Sequence, residues 1–287
     1  MKANILSLGL TAPGLISFEQ FKVLIAEKKV PNIFEPIEKY SPSFLPPNER
    51  RRTTSVIKLA LKTAEEAWNS YQKMMPNASD QVPVLFVSKN GDTFITSSIC
   101  QALSEESVMI SPTQFHNSVH NASVGYWMIG VNNQAPASAI SAGESAIGNG
   151  LLEAVLQSQE AQKPVLVVFY DLPVDESIPL TEKEATRDIK IPFAFAMVLE
   201  ATQHIQSNRY PTLSLNIVQS ASELKAEYNP YQGVVAAEIY PLVKVMAKLN
   251  FGSVDFERSQ AEVYFPLNKH SFVKVALNET SARSNHE

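Results

Sequence analysis

The chain has 287 residues, 45% hydrophobic and 18% charged, which fits an ordinary folded protein and excludes a disordered, fibrous or membrane-spanning one. Its 24 basic and 29 acidic residues leave a formal charge of -5 with no long run of either sign, so nucleic acid is not an indicated partner. One cysteine, Cys100, rules out an intrachain disulfide and a multi-cysteine zinc module, and points to a reducing, cytoplasmic setting.

No apolar run approaches the roughly 20 residues needed to cross a bilayer. Ile5-Leu6-Ser7-Leu8-Gly9-Leu10, followed by Pro13-Gly14, reads as a first strand and turn over residues 3–10 rather than a secretory signal. A helix follows over 17–29, with Ser17 as N-cap and Phe18, Phe21, Val23, Leu24 and Ile25 as its apolar stripe. Five prolines between Pro31 and Pro47 dictate an irregular loop. Arg50-Arg51-Arg52 then opens a helix over roughly 53–73, with Val56, Leu59, Ala60, Thr63, Ala67 and Trp68 near one face.

Residues 82–88 form a buried-type strand with Pro83 at its start, and 94–103 a short helix. Ser111-Pro112 begins a new unit with a helix over about 117–129, then a strand over Ala137–Ser141, a turn at Gly143 and a helix over 146–160. Strand 165–170 leaves Asp171 at its carboxyl end, where ligand sites gather in α/β sheets. Beyond it come a charged loop over 173–192, strands at 193–201 and 211–218, a helix over 232–249, and a hairpin near 252–265 and 271–277. The polar residues 278–287 form a tail. Helix and strand signals alternate without a linker or internal repeat, so the expectation is one α/β domain over residues 1–277.

Several local patterns bear on chemistry. Strand, sharp turn and helix around Gly143 is the geometry of a nucleophile elbow. Gly143-Glu144-Ser145-Ala146-Ile147 departs from Gly-x-Ser-x-Gly at Ile147. Ser145, Asp171 or Asp175, and His204 or His270 nevertheless follow the Ser, Asp, His order of α/β-hydrolases, which keeps a serine hydrolase or thioesterase as an alternative. His116 and His120 stand four apart, a zinc spacing on a helix, but no Glu lies between them and no third ligand is evident, so no metal is expected. Cys100, beside Ile99 and near Leu103, reads as a small buried residue. Arg50–Arg52 fits a solvated helix start or a contact with an acidic carrier protein.

The stretch from Ser111-Pro112 through Thr113-Gln114-Phe115-His116-Asn117-Ser118-Val119-His120-Asn121 to Gly125, Pro136 and Ile140-Ser141-Ala142-Gly143-Glu144-Ser145 resembles the β-ketoacyl synthases, the condensing enzymes of fatty-acid and polyketide assembly. The resemblance covers roughly residues 1–200 and implies a layered thiolase-like fold, approximately one half of a ketosynthase with extra C-terminal strands. It places Glu144 where the family carries its nucleophilic cysteine. A carboxylate there cannot form the acyl-thioester intermediate, so no catalytic residue is expected. His204, His270 and His286 do not match the family's histidine contexts.

What the resemblance implies instead is a non-catalytic subunit, like the chain-length factors of type II polyketide and aryl-polyene systems. Such a subunit pairs with a full-length β-ketoacyl synthase and shapes the tunnel for a chain held on an acyl carrier protein; no cofactor is implied. Thr113, Gln114 and Phe115 align with positions that reach toward the neighbour's acyl pocket, with Phe115 as a core anchor in the blander reading. Ala137, Ser138, Ala139, Ile140 and Ser141 align with the strand near the dimer twofold. Half a condensing enzyme would also expose the apolar face its missing half covers. A stand-alone acyl-carrier binding module is a further alternative. For Glu144, the choices are a polar plug at a helix start or a carboxylate that fills the lost acyl site and ties down loops.

Overall fold

Two runs, Val165–Asp171 and Phe193–Ala201, are buried along nearly their whole length, as strands covered on both faces must be. They form the middle of the sheet in the computed structural model, which describes residues 1–175, 191–201, 210–219, 229–231, 233–248 and 262–278. In chain order the strands are β1 (Lys2–Thr11), β2 (Val84–Val87), β3 (Ala137–Ile140), β4 (Val165–Asp171), β5 (Phe193–Ala201), β6 (Thr212–Val218), β7 (Glu262–Pro266) and β8 (Phe272–Asn278). They make one sheet in the order β3-β2-β4-β5-β1-β6-β8-β7. β2 lies parallel to β3 and β4, and every pairing beyond β4 is antiparallel.

The helices are α1 (Phe18–Ala26), α2 (Pro47–Arg52), α3 (Ser55–Met74), α4 (Thr93–Ser104), α5 (Pro112–Asn117), α6 (Ala122–Val131), α7 (Ala146–Ala161) and α8 (Tyr240–Lys248). Ser17 caps α1 as expected, its side chain accepting from the Gln20 amide. α3 and α6 cover one sheet face, packing Trp68 and Trp127 with Phe86, Val168 and Tyr170. α1, α7 and α8 belong to the core on the other face, with Phe21, Leu151, Phe169, Phe195 and Tyr240. At Gly9 the strand β1 lies so near α3 that a β-carbon would sit 2.4 Å from the Thr63 carbonyl oxygen. Only a hydrogen there permits that crossing.

The structure departs from expectation where local capping overrides periodicity. Arg50–Arg52 do not open the long helix. They end the separate α2, started by Pro47, and Thr54 caps α3 afresh by accepting from the Ile57 amide. The helix expected over 117–129 is broken: α5 stops at Asn117, and α6 begins at Ala122. The helix expected over 232–249 begins as a tight 3₁₀ turn, Val235–Ile239, before α8.

The C-terminal strands reach α7. Strands β6, β8 and β7 continue the sheet past β1, and β7 packs on α7 from the side away from β2 and β4. There a β-carbon on Gly148 would stand 2.5 Å from the Pro266 carbonyl oxygen, while one on Gly150 would meet Phe169 at 2.7 Å. α7 thus packs on the chain's own C-terminal strands near Gly148, while Leu156 further along it is exposed. Residues 176–190, the part of the expected hairpin before Glu262, and the tail from 279 lie outside the described residues.

Candidate functional site at the elbow

The carboxyl ends of β2, β3 and β4 converge on one point. β3 ends at Ile140, the chain turns through Gly143 at φ 55°, and the 3₁₀ turn Gly143–Ser145 leads straight into α7. Positive φ suits glycine, so the sharp bend lifts the next residue, Glu144, to the top of the sheet. Glu144 makes no capping hydrogen bond to the helix. Its Oε1 accepts from Lys89 Nζ at 2.6 Å. The Lys89 side chain is 18% exposed and that of Glu144 56%, so the pair closes the elbow from the β2 side.

Lys89 is itself held on both sides. Its amide donates to Asp171 Oδ1 at 2.9 Å, and its carbonyl accepts from Ser141 Oγ at 2.5 Å. Asp171 is 5% exposed, at the end of β4 as the sequence indicates. Ser88 Oγ donates to Asp171 Oδ1 at 2.8 Å, and the Ala236 amide donates to Oδ2 at 2.9 Å. Burial dominates those bonds and pushes its carboxyl up to about 6. The arrangement fastens three strand ends and the 3₁₀ turn before α8. Both oxygens of Asp171 serve this fastening, and among the described residues neither bonds to a histidine; His204 lies outside the described residues.

Lys89 escaped the sequence reading. The available signal was its position directly after a buried strand, level with Asp171 in the parallel sheet.

Among the described strands, the edge strand β3 pairs only with β2. The Val84 amide donates to the Pro136 carbonyl at 3.0 Å and the Ser88 amide to the Ile140 carbonyl at 3.1 Å. Because alternate residues of a strand turn their backbone groups to opposite sides, Ser138 joins Pro136 and Ile140 in facing β2, and Ala137 and Ala139 aim theirs away from the sheet. Ala137 and Ser141 are exposed, and Ser138, Ala139 and Ile140 half-buried.

α6 and the α5–α6 connection reach this edge, and α4 packs on α5. His120 Nε2 lies 3.0 Å from the Ile140 carbonyl, joining the α5–α6 connection to the end of β3. Gln114 Nε2 donates to Ser98 Oγ at 3.1 Å and Thr113 is half-buried, whereas Phe115 is 66% exposed and no core anchor. His116 lies edge-on to Tyr126, so the helix break sends the two histidines to different surroundings. Cys100, expected inside, is exposed on α4, because the buried face of that helix is Ile95 and Ser97. Arg50 donates to the Ser43 and Leu45 carbonyls, Arg51 to Asn48 Oδ1, and Arg52 pairs with Glu49, so all three arginines have partners within or beside α2.

Among solved structures, the ketosynthase ApeO in complex with its chain length factor ApeC from Xenorhabdus doucetiae matches with 22% identity and TM-score 0.63, over 96% of this chain and 99% of that one. The ishigamide ketosynthase/chain length factor matches with 10% identity and TM-score 0.70, over 98% and 100%. A type II polyketide synthase acyl-carrier protein in complex with its ketosynthase matches with 10% identity and TM-score 0.68, over 97% and 99%. No curated protein matches the chain. The fold is therefore the thiolase-like one of the ketosynthases, and among the described residues no helix is long and apolar enough to cross a membrane. The family profile described as the N-terminal domain of β-ketoacyl synthase matches residues 25–240, and the chain belongs to that family.

Proposed function

We propose that this chain is a non-catalytic, chain-length-factor-like subunit, its residues 1–277 forming one domain that pairs with a complete β-ketoacyl synthase. It shapes the tunnel for a polyene or polyketide chain carried on an acyl carrier protein, and the partner supplies the cysteine and histidines. The observation that carries this reading is the elbow: the residue at its head is a carboxylate already paired with Lys89 at 2.6 Å. Such a group offers neither a thiolate nor an open acyl site.

The surface beside the elbow supports a partner of this kind. Phe94, Leu103, Met109, Phe115 and Val119 are all exposed on or beside α4 and α5, with Met109 at 80%. Exposed apolar side chains of this size, on a chain that also has an open strand edge at β3, suit association better than isolation. The similarity to complexes of a ketosynthase with a chain length factor points the same way.

The test is co-expression with a complete β-ketoacyl synthase. A stable heteromer that elongates carrier-bound chains, with labelled substrate recovered only on the partner, is the expected result. Covalent capture of acyl groups on this chain alone, or a monomer that ignores the ketosynthase, refutes the reading.

A further inference from the structure

The thioethers of this chain are unevenly exposed. Of its 7 methionines, Met197 and Met246 are fully buried and Met75 and Met128 half-buried. Met1 and Met74 are 36% and 39% exposed, whereas Met109 reaches 80%. Met109 lies in residues 105–111, which join α4 to α5 and form neither helix nor strand. Leu103 and Val108, close by in the chain, are also exposed, so the thioether stands in a stretch with apolar surface to bury.

Two properties of methionine meet at such a position. Its flexible, polarizable side chain adapts to an apolar partner surface. Left open to water, the same sulfur is what a hydroperoxide oxidises, and buried methionines are attacked more slowly. We infer that Met109 is an oxidation site of this chain, and that its sulfoxide weakens pairing with the ketosynthase; the inference rests on the subunit reading above. In the step itself a sulfur lone pair attacks one oxygen of hydrogen peroxide. An S–O bond forms, the O–O bond breaks, and the second oxygen leaves as water. Sulfur loses two electrons and the peroxide gains them. The product is polar, so pressing it against apolar side chains strips its oxygen of water without a replacement hydrogen bond.

Cys100 is a second exposed sulfur, on α4. The experiment therefore uses the 287-residue chain carrying Cys100→Ser, treated with dilute hydrogen peroxide. Peptide mass mapping over time is expected to show one added oxygen at Met109 about tenfold faster than at Met197 or Met246. The oxidised chain is then titrated against the complete β-ketoacyl synthase of the co-expression test, and Kd is expected to rise about fivefold or more. Met109→Leu keeps the apolar contact without an oxidisable sulfur, so it should pair like the parent and ignore peroxide. Met109→Gln should pair as weakly as the oxidised chain with no peroxide added. Oxidation of Met109 no faster than of the buried methionines, an unchanged Kd after its complete oxidation, or equal peroxide sensitivity of the Met109→Leu chain overturns the inference and leaves the subunit reading standing. An untreated chain that does not bind the ketosynthase overturns both.

Discussion

Asp171 shows how a residue at a strand end can be structural where the sequence alone reads it as a site. Burial holds its carboxyl up to about 6, from 3.8. The folded chain therefore binds that proton more tightly than the unfolded chain, and between these values it carries more protons. Stability should fall as pH rises through that window and level off above it. At roughly 1.36 kcal/mol for each tenfold in proton affinity, the effect is at most about 3 kcal/mol. Thermal melts of Asp171→Asn across this range should lose that part of the slope. Glu66 acts in the same sense, pushed up to about 7 by burial against its bonds from the Leu10 and Phe18 amides, so Glu66→Gln should remove the slope that persists toward neutral pH. The Lys89–Glu144 pair behaves differently. Glu144 is largely exposed, so Glu144→Gln should cost under about 1 kcal/mol of stability. A much larger loss on melting would mean that the pair holds the elbow together.

At the scale of elements, the decisive feature is the phase of β3. Ala139→Pro removes an N–H that points away from β2, so the sheet should survive while a strand added to that edge loses a hydrogen bond. The expected result is a normally folded chain, by circular dichroism, that no longer co-purifies with a ketosynthase; retained association would place the interface elsewhere. Gly9 is the opposite kind of position. Gly9→Ala forces a methyl group into the backbone of α3, and destabilisation of about 1–3 kcal/mol is expected in denaturant melts. Ser17, the strand over 165–171 and the elbow turn at Gly143 were all legible from capping, burial-type composition and turn chemistry. The break after Asn117 was not. It arises from tertiary bonds, since buried Asn117 donates to the Arg52 carbonyl and accepts from Tyr126 Oη, and no local signal announces either partner.

For the molecule as a whole, the C-terminal third matters more than its sequence advertises. It brings β7 onto α7 at Gly148, and exposed apolar side chains remain on α4, on α5 and in the segments beside them. Phe115 is the probe of that surface. In a heteromer with a ketosynthase, trimming it with Phe115→Ala should lengthen the product and enlarging it with Phe115→Trp should shorten it, as read by mass spectrometry of carrier-bound chains. An unchanged product distribution would remove Phe115 from the tunnel.

By itself the sequence determined the alternation of strands and helices, the elbow and the carboxylate at its head, because these depend on neighbours along the chain: periodicity, turn residues and motif spacing. It also carried the family resemblance. The assembled layers were needed to show that Lys89 meets Glu144, that Asp171 is a fastener, that Cys100 faces solvent and that β7 packs on α7. Each of those depends on which distant segments meet across the sheet, and such meetings follow from the packing of whole layers, which no short window of residues contains.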